Sequence, residues 1–137
     1  MNNSILNANS LPVLEQVVSF AQKRHHILAG NIANLDTPDY KVKDLNLSKF
    51  QEKLLQAIQA KNEPNEPLSP GLSASRQGDP LREVTKNMEG MLFHDQSNVG
   101  IEQQVAALTK NQMMHDLALN IMENQIRLLE TAISERL

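Results

Sequence analysis

The segment IEQQVAALTKNQMMHDLALNIMENQIRLLETAISER, residues 101–136, decides the fold. It contains neither glycine nor proline, and its heptad positions recur at alternating steps of three and four, which is typical of a helix that packs along a narrow seam. At 1.5 Å per residue the helix would be about 54 Å long. Such a helix needs partner helices to cover its seam. The heptad positions are Ile101, Val105, Leu108, Gln112, His115, Leu119, Met122, Ile126, Leu129 and Ile133.

A second heptad helix is predicted near the N terminus, over residues 12–35. Because the chain must turn back between its two end helices, these helices can pair antiparallel. His25 in the first seam and His115 in the second can then meet, either as a polar layer that fixes register or as a metal-binding or pH-sensitive pair. The positions of the first seam are Leu14, Val18, Ala21, His25, Leu28, Ile32 and Leu35.

The segment between the two seams divides in two. Residues 47–59 predict a shorter amphipathic helix that Ser48 caps. Residues 60–83 hold four of the six prolines and predict an extended, flexible linker, with a short strand or turn at 88–95. We therefore predict a mainly α chain with two long terminal helices that form an antiparallel coiled coil or bundle on assembly. Its units are residues 1–43, 44–59, a flexible, poorly structured middle at 60–97, and 98–137.

The composition excludes several classes of protein. There is no cysteine, so disulfides, thiol catalysis and cysteine-based zinc sites are excluded. A net charge of −3 with 3% aromatic residues and no basic block argues against nucleic-acid binding. No nucleophile motif or acid–base pair is present, so neither enzyme activity nor a cofactor is predicted. The chain lacks both a signal-peptide pattern and an apolar run of about 18 residues, so we expect no lipid insertion.

The string NIANLDTPDYK, residues 31–41, concentrates turn residues at the end of the first helix. Pro38 has no amide hydrogen and a fixed φ, so a helix cannot run through it. Asn34 lies in the last turn, where a short amide side chain can cap the helix. Asp39 tolerates the left-handed conformation better than most residues. Tyr40 can place its ring against the helix end and anchor the turn.

The same string resembles the N-terminal motif of the flagellar axial proteins, the family of rod, hook and hook-associated proteins of the bacterial flagellum. Two positions depart from the motif: Leu35 stands where a small residue is usual, and Asp39 where glycine is usual. With aspartate at position 39, the turn is not expected to use a backbone conformation that only glycine can adopt. The length, the short middle and the closing helix resemble those of a proximal rod subunit rather than of distal rod or hook proteins, which insert β domains. The matching residues are Asn31, Ile32, Ala33, Asn34, Asp36, Thr37, Pro38, Tyr40 and Lys41.

The resemblance implies a structural subunit of the periplasmic rod of the basal body, exported by the flagellar type III apparatus without a cleaved signal. It implies as partners copies of the chain itself, FlgC and distal rod proteins, the FliE adaptor, the MS ring and the export gate. The terminal helices would bundle with those of neighbouring subunits. The implied assembly seam comprises Leu14, Val18, Leu28, Ile32, Leu35, Val105, Leu108, Leu119, Met122, Ile126, Leu129 and Ile133.

A second resemblance concerns the segment Phe50-Gln-Glu-Lys-Leu54. It is similar to the phenylalanine-x-x-x-aliphatic element that the export gate reads in early substrates of that apparatus. Any amphipathic helix also offers such a pair four residues apart, so simple packing is the alternative. The alternative function for the whole chain is a soluble coiled-coil adaptor or export chaperone. An adaptor would form a stable helical dimer at low concentration, whereas a rod subunit would depend on other basal-body proteins.

Overall fold

The computed structural model describes residues 10–62, 80–86, 88–94 and 100–135. It is mainly helical and places a long helix near each end of the chain, which confirms this part of the sequence prediction. The elements in order are helix α1 (Ser10–Ala33), strand β1 (Lys43–Leu45), helix α2 (Leu47–Asn62), helix α3 (Pro80–Lys86), a 3-10 turn (Met88–Met91), strand β2 (Leu92–His94) and helix α4 (Ile101–Ser134).

Within the range 60–97, for which a poorly structured middle was predicted, the structure has three short regular elements: α3, the 3-10 turn and β2. Helix α3 begins at Pro80, where a proline is favourable because the first turn needs no amide donor from it. Residues 63–79 of the predicted linker lie outside the described residues.

Helices α1 and α4 pack side by side and run antiparallel. Ser10, at the start of α1, donates to Gln125 Oε1 near the end of α4 at 2.9 Å. Asn31, near the end of α1, donates to Gln104 Oε1 near the start of α4 at 3.1 Å. The two contacts are 21 residues apart on both helices, so the pairing holds a constant register over about 30 Å.

The apolar core is formed by α1 together with β1, α2, α3 and the 3-10 turn. Its centre is a pair of stacked rings, Phe20 of α1 and Phe50 of α2, with centroids 4.0 Å apart and planes inclined by 13°. Such a pair adds about 1 kcal/mol beyond the burial of its area. No fully buried member of this cluster comes from α4, which reaches it only through the half-buried Met114. The buried members are Phe20, Leu45, Phe50, Ala57, Leu81, Val84, Met88 and Met91.

The two short strands, β1 and β2, pair into a small antiparallel sheet, and an ion pair ties this sheet to α1. Asp44 of β1 lies opposite Phe93 of β2. Both carboxylate oxygens of Asp44 accept from the Arg24 guanidinium, at 2.8 and 2.9 Å. A two-pronged, charge-assisted contact of this kind fixes orientation as well as distance. Arg24 therefore holds β1 at a defined position along α1.

The caps of α2 and α4 differ in whether a side chain takes part. The cap of α2 is Asn46, whose Oδ1 accepts from the Lys49 amide at 3.0 Å. The prediction of Ser48 was wrong, because that residue already lies inside the helix, which begins one residue earlier and runs to Asn62. Gly100 is the N-cap of α4 and has no side chain with which to accept a bond. In the described part of the chain, no helix has the length and apolar character needed to cross a membrane.

Candidate functional site on the terminal helices

The turn that follows α1 begins earlier than Pro38 requires. The helix ends at Ala33, five residues before the proline. The Asn34 amide and the Asn34 side chain both donate to the Gly30 carbonyl, at 3.1 and 2.8 Å. These two hydrogen bonds to one carbonyl close the last turn, as the amide cap predicted at Asn34 would do. The Thr37 amide then donates to the Asn34 carbonyl at 3.0 Å, which starts the reversal of the chain.

Asp39 adopts the left-handed backbone conformation, with φ of 60°. It is the one non-glycine residue with positive φ among the residues that the structure describes. An aspartate was predicted to tolerate this conformation, and the φ of Asp39 confirms it. Because a Cβ atom makes this region costly for most L-residues, the position retains a small strain that a glycine would not have.

Asn31 is the hub of this region. It is fully buried at 0% exposure. Its Nδ2 donates to the Lys43 carbonyl at 2.6 Å and to Gln104 Oε1 at 3.1 Å. Its Oδ1 accepts from the Lys43 amide at 3.1 Å and from the Tyr40 hydroxyl at 3.2 Å. All four hydrogen-bonding positions of the amide are therefore used, and one side chain joins α1, the turn, β1 and α4.

The remaining motif residues act through the backbone or lie at the surface. Ala33, Thr37 and Pro38 are exposed, and Ile32 is half-buried. Thr37 contributes its carbonyl, which accepts from the Tyr40 amide at 3.2 Å. That bond and the hydroxyl contact with Asn31 anchor Tyr40 against the end of α1, as predicted. Sequence reasoning identified Asn31 but not its partner Gln104; the available signal was a glutamine next to an apolar heptad position.

The fully buried side chains of α4 are polar or small, and half-buried apolar side chains lie beside them. The buried residues of α4 are Gln104, Asn111 and Ala118, spaced seven apart. Asn111 is 1% exposed, and its Nδ2 donates to the Ala21 carbonyl at 2.7 Å. Together with the bonds of Gln104 and Gln125, this gives three inter-helix hydrogen bonds along one line of α4. We call this line of residues 104, 111, 118 and 125 the polar ladder.

The predicted assembly seam is divided in the single chain. On α1, Leu28 is buried, while Leu14, Val18, Ile32 and Leu35 are half-buried. On α4, three of the seven predicted residues are half-buried and four are exposed. The line that contacts α1 is shifted by one residue from the predicted line, and one residue corresponds to about 100° around the helix. The half-buried residues are Leu108, Met122 and Leu129, and the exposed ones are Val105, Leu119, Ile126 and Ile133.

Two exposed apolar surfaces run along α4, roughly 100° to either side of the polar ladder. Leu128 is 70% exposed, Met113 66% and Leu117 61%. Large apolar side chains exposed in this number along one helix are unusual on a monomer and mark interaction sites. The first flank comprises Ile101, Val105, Leu119, Ile126 and Ile133, and the second flank comprises Met113, Leu117, Ile121 and Leu128.

The structure brings His25 and His115 to one cleft between α1 and α4, where His26 joins them. The ring Nδ1 of His115 lies 3.3 Å from Asp116 Oδ1. In the described ranges, no group of three histidine or acidic side chains is arranged to hold a metal ion. The two histidines predicted to meet therefore share one cleft, which His26 also lines.

The predicted export element lies in the folded core. Phe50 is 2% exposed and stacked on Phe20, and Leu54 packs against the same cluster. In the folded chain Phe50 is therefore inaccessible to a binding partner, whereas Leu54 is half-buried.

Two curated proteins are similar to the chain over most of its length. The flagellar basal body rod protein FlgB of Aquifex aeolicus (strain VF5) is 30% identical over 122 residues, which cover 89% of this chain and 90% of that protein. The protein of the same name from Aeromonas hydrophila is 27% identical over 119 residues, 82% of this chain and 83% of that protein. No protein-family model matches the chain. No solved structure matches it either.

Proposed function

Because the chain belongs to the FlgB family of flagellar basal body rod proteins, we propose that it builds the proximal rod by packing its terminal helices against those of neighbouring subunits. The observation that carries this proposal is the pair of exposed apolar flanks on α4. They extend from Ile101 to Ile133, along nearly the whole helix. A structural subunit needs such a surface, whereas a protein that works as a free monomer does not.

The size of the exposed surface agrees with this role. Nine large apolar side chains form the two flanks, and full burial of each contributes about 1.5–3 kcal/mol. Since these side chains are partly covered already, their complete burial would supply on the order of 10 kcal/mol. That gain must offset the lost freedom of the joining subunits, which is of similar magnitude. Burial of only one flank would supply about half of that gain and would not offset the cost, so both flanks are needed.

The arrangement of the flanks favours an open assembly. One straight helix cannot cover two surfaces on opposite sides of the polar ladder, so each α4 needs at least two neighbours. Interfaces that join different surfaces and do not close on themselves generate helical tubes. The neighbours we propose are copies of this chain, FlgC and distal rod proteins, with the FliE adaptor and the MS ring at the base. In this proposal the hub at Asn31 fixes the α1–α4 pair that each subunit contributes.

The assembly proposal is tested by placing a charge on one flank. In cells whose own copy of the gene is deleted, we expect Leu117→Asp to be exported normally but lost from isolated basal bodies, with loss of motility. Burying an unpaired carboxylate in an apolar contact is costly. The matched control is Thr109→Asp, on the exposed side of α4 between the flanks. Normal incorporation of Leu117→Asp, or a stable helical dimer of the purified wild-type chain at low micromolar concentration, would favour the adaptor function.

For export, we propose that the gate of the type III apparatus reads the Phe50–Leu54 element before the chain folds. The burial of Phe50 in the folded core supports this order, because the ring is accessible only in the unfolded chain. Phe20 supplies a matched control, since it is the other ring of the same stack. We expect Phe50→Ala to reduce the amount of exported subunit and Phe20→Ala to leave it unchanged, although both destabilise the fold. Equal export of the two variants would contradict the proposal.

A further inference from the structure

A cleft lies between α1 and α4 at the middle of the helix pair, and most of the side chains along it carry a polar group. It has a volume of about 190 Å³ and is lined by Ala21, Gln22, His25, His26, Asn111, Gln112 and His115. The cleft lies beside the polar ladder, close to the hydrogen bond between Asn111 and Ala21. The cleft thus interrupts the contact between the two long helices at a point where apolar packing would otherwise be expected.

Two buried polar atoms in this cleft have no hydrogen-bond partner within the described part of the chain. They are His25 Nδ1 and Asn111 Oδ1. A buried polar atom without a partner costs about 1–3 kcal/mol. The other half of the Asn111 amide is satisfied, because Nδ2 donates to the Ala21 carbonyl at 2.7 Å. The side chain is therefore held firmly by one atom, and the other atom needs a ligand.

We infer that the cleft binds an ordered water molecule that bridges Asn111 Oδ1 and His25 Nδ1. The amide oxygen can only accept, so the ligand must donate a hydrogen bond to it. This requirement excludes a carboxylate or another anion. Water meets it and also suits His25 in every protonation state, since it can donate to a bare Nδ1 or accept from a protonated one. A metal ion would require a bare Nδ1 and more ligands than the described residues assemble.

The size and polarity of the cleft fit this ligand. A buried water needs about 10–15 Å³ and two to four polar partners. The cleft offers roughly ten times that volume, together with the Gln22 and His26 side chains at its rim. Several water molecules therefore fit, of which the bridging one contacts both buried atoms. A bridging water is nearly as favourable as a direct bond, so the polar ladder is complete in the middle as well as at its ends.

The test uses the isotope-labelled full chain in dilute solution and the NOE and ROE contacts between protein protons and water. In the wild-type chain we expect signals to water at His25 Hε1 and at the Asn111 side-chain amide, with the NOE and the ROE of opposite sign. Opposite signs mark a long-lived water molecule. His25→Phe should abolish the Asn111 contact, and Asn111→Leu should abolish the His25 contact. Gln112→Ala is the matched control and should keep both, because the Gln112 amide is bonded to Asp116 at 3.0 Å.

Three results would overturn the inference. The first is the absence of long-lived water contacts in the wild-type chain. The second is their persistence at the remaining partner in both His25→Phe and Asn111→Leu. The third is a shift of the His25 resonances when EDTA is added, because it would identify the bridging ligand as a metal ion.

Discussion

On a helix of a globular protein the buried side is usually apolar and the exposed side polar. On α4 the fully buried side chains are mainly polar, and large apolar side chains are exposed. The side that faces α1 carries the polar ladder, with Gln104 and Asn111 almost fully buried. The sides that face outward carry the apolar flanks, with Leu117 and Leu128 largely exposed. Apolar residues are normally buried in the core of a fold, and exposed apolar patches mark sites of interaction with other molecules.

This difference separates two tasks of the same helix. Hydrogen bonds require defined distances and directions, so a polar contact specifies which residues of α1 and α4 lie opposite each other. Apolar burial is non-directional and scales with area, so it suits a large contact with another molecule. Helix α4 uses the first kind of interaction within the chain. In the proposed function, the second kind serves the contacts with other subunits.

The largest expected effect concerns the hub of the polar contact. Asn31→Leu removes four hydrogen bonds from a fully buried site, and at about 1 kcal/mol each it should lower the free energy of unfolding by about 4 kcal/mol. Urea denaturation followed by circular dichroism measures it. The matched control is Asn120→Leu on the exposed surface of α4, which should change the stability little. Similar values for the two variants would show that the polar contact does not hold the pair together.

The next effect compares one substitution at two positions. Leu28→Ala on α1 empties a site that is 1% exposed and should lower the free energy of unfolding by about 3 kcal/mol. Leu128→Ala alters a side chain that is 70% exposed, and it should change the stability of the free chain by less than about 0.5 kcal/mol. The same urea titrations measure both. A large loss of stability in Leu128→Ala would mean that the second flank is already covered within the free chain.

The smallest effect lies in the motif turn. Asp39→Gly relieves the positive φ of 60° but gives the unfolded chain more freedom, so we expect a net stabilisation of at most about 1 kcal/mol. The matched control is Asp36→Gly, three residues earlier in the same turn, where no positive φ is present and a small destabilisation is expected. A clear loss of stability in Asp39→Gly would show that the aspartate side chain, not its backbone, is needed at this position.

The long helices were predictable because two features of the sequence determine them: the heptad pattern of apolar residues, and the positions of glycine and proline. The absence of glycine and proline from residues 101–134 predicts one uninterrupted helix, and a return of the chain predicts its antiparallel partner. Tyr40 and Asp39 were placed correctly because their roles depend on local geometry. The hub contact with Gln104 was not predictable in the same way, because it joins residues 73 positions apart and no local pattern records it.

The line of α4 that packs on α1 within the chain does not follow the apolar heptad pattern. That pattern runs through Val105, Gln112 and Leu119, whereas Gln104, Asn111 and Ala118 are the buried residues. The two lines differ by one residue, and apolar periodicity alone favours the line that ends up exposed. Helix α3 was missed for a related reason, because the prolines around residues 64–80 obscured that Pro80 begins a helix.

The most direct test of the central claim uses the absence of cysteine from the chain. Leu117→Cys and Leu128→Cys place single thiols on the second flank, and Ile126→Cys places one on the first. In the dilute purified chain, we expect a maleimide reagent to label all three rapidly, because these positions are exposed. In intact basal bodies, we expect strong protection of all three thiols, with full labelling again once the basal bodies are dissociated. Rapid labelling of these positions in intact basal bodies would contradict the claim that neighbouring subunits cover the flanks of α4.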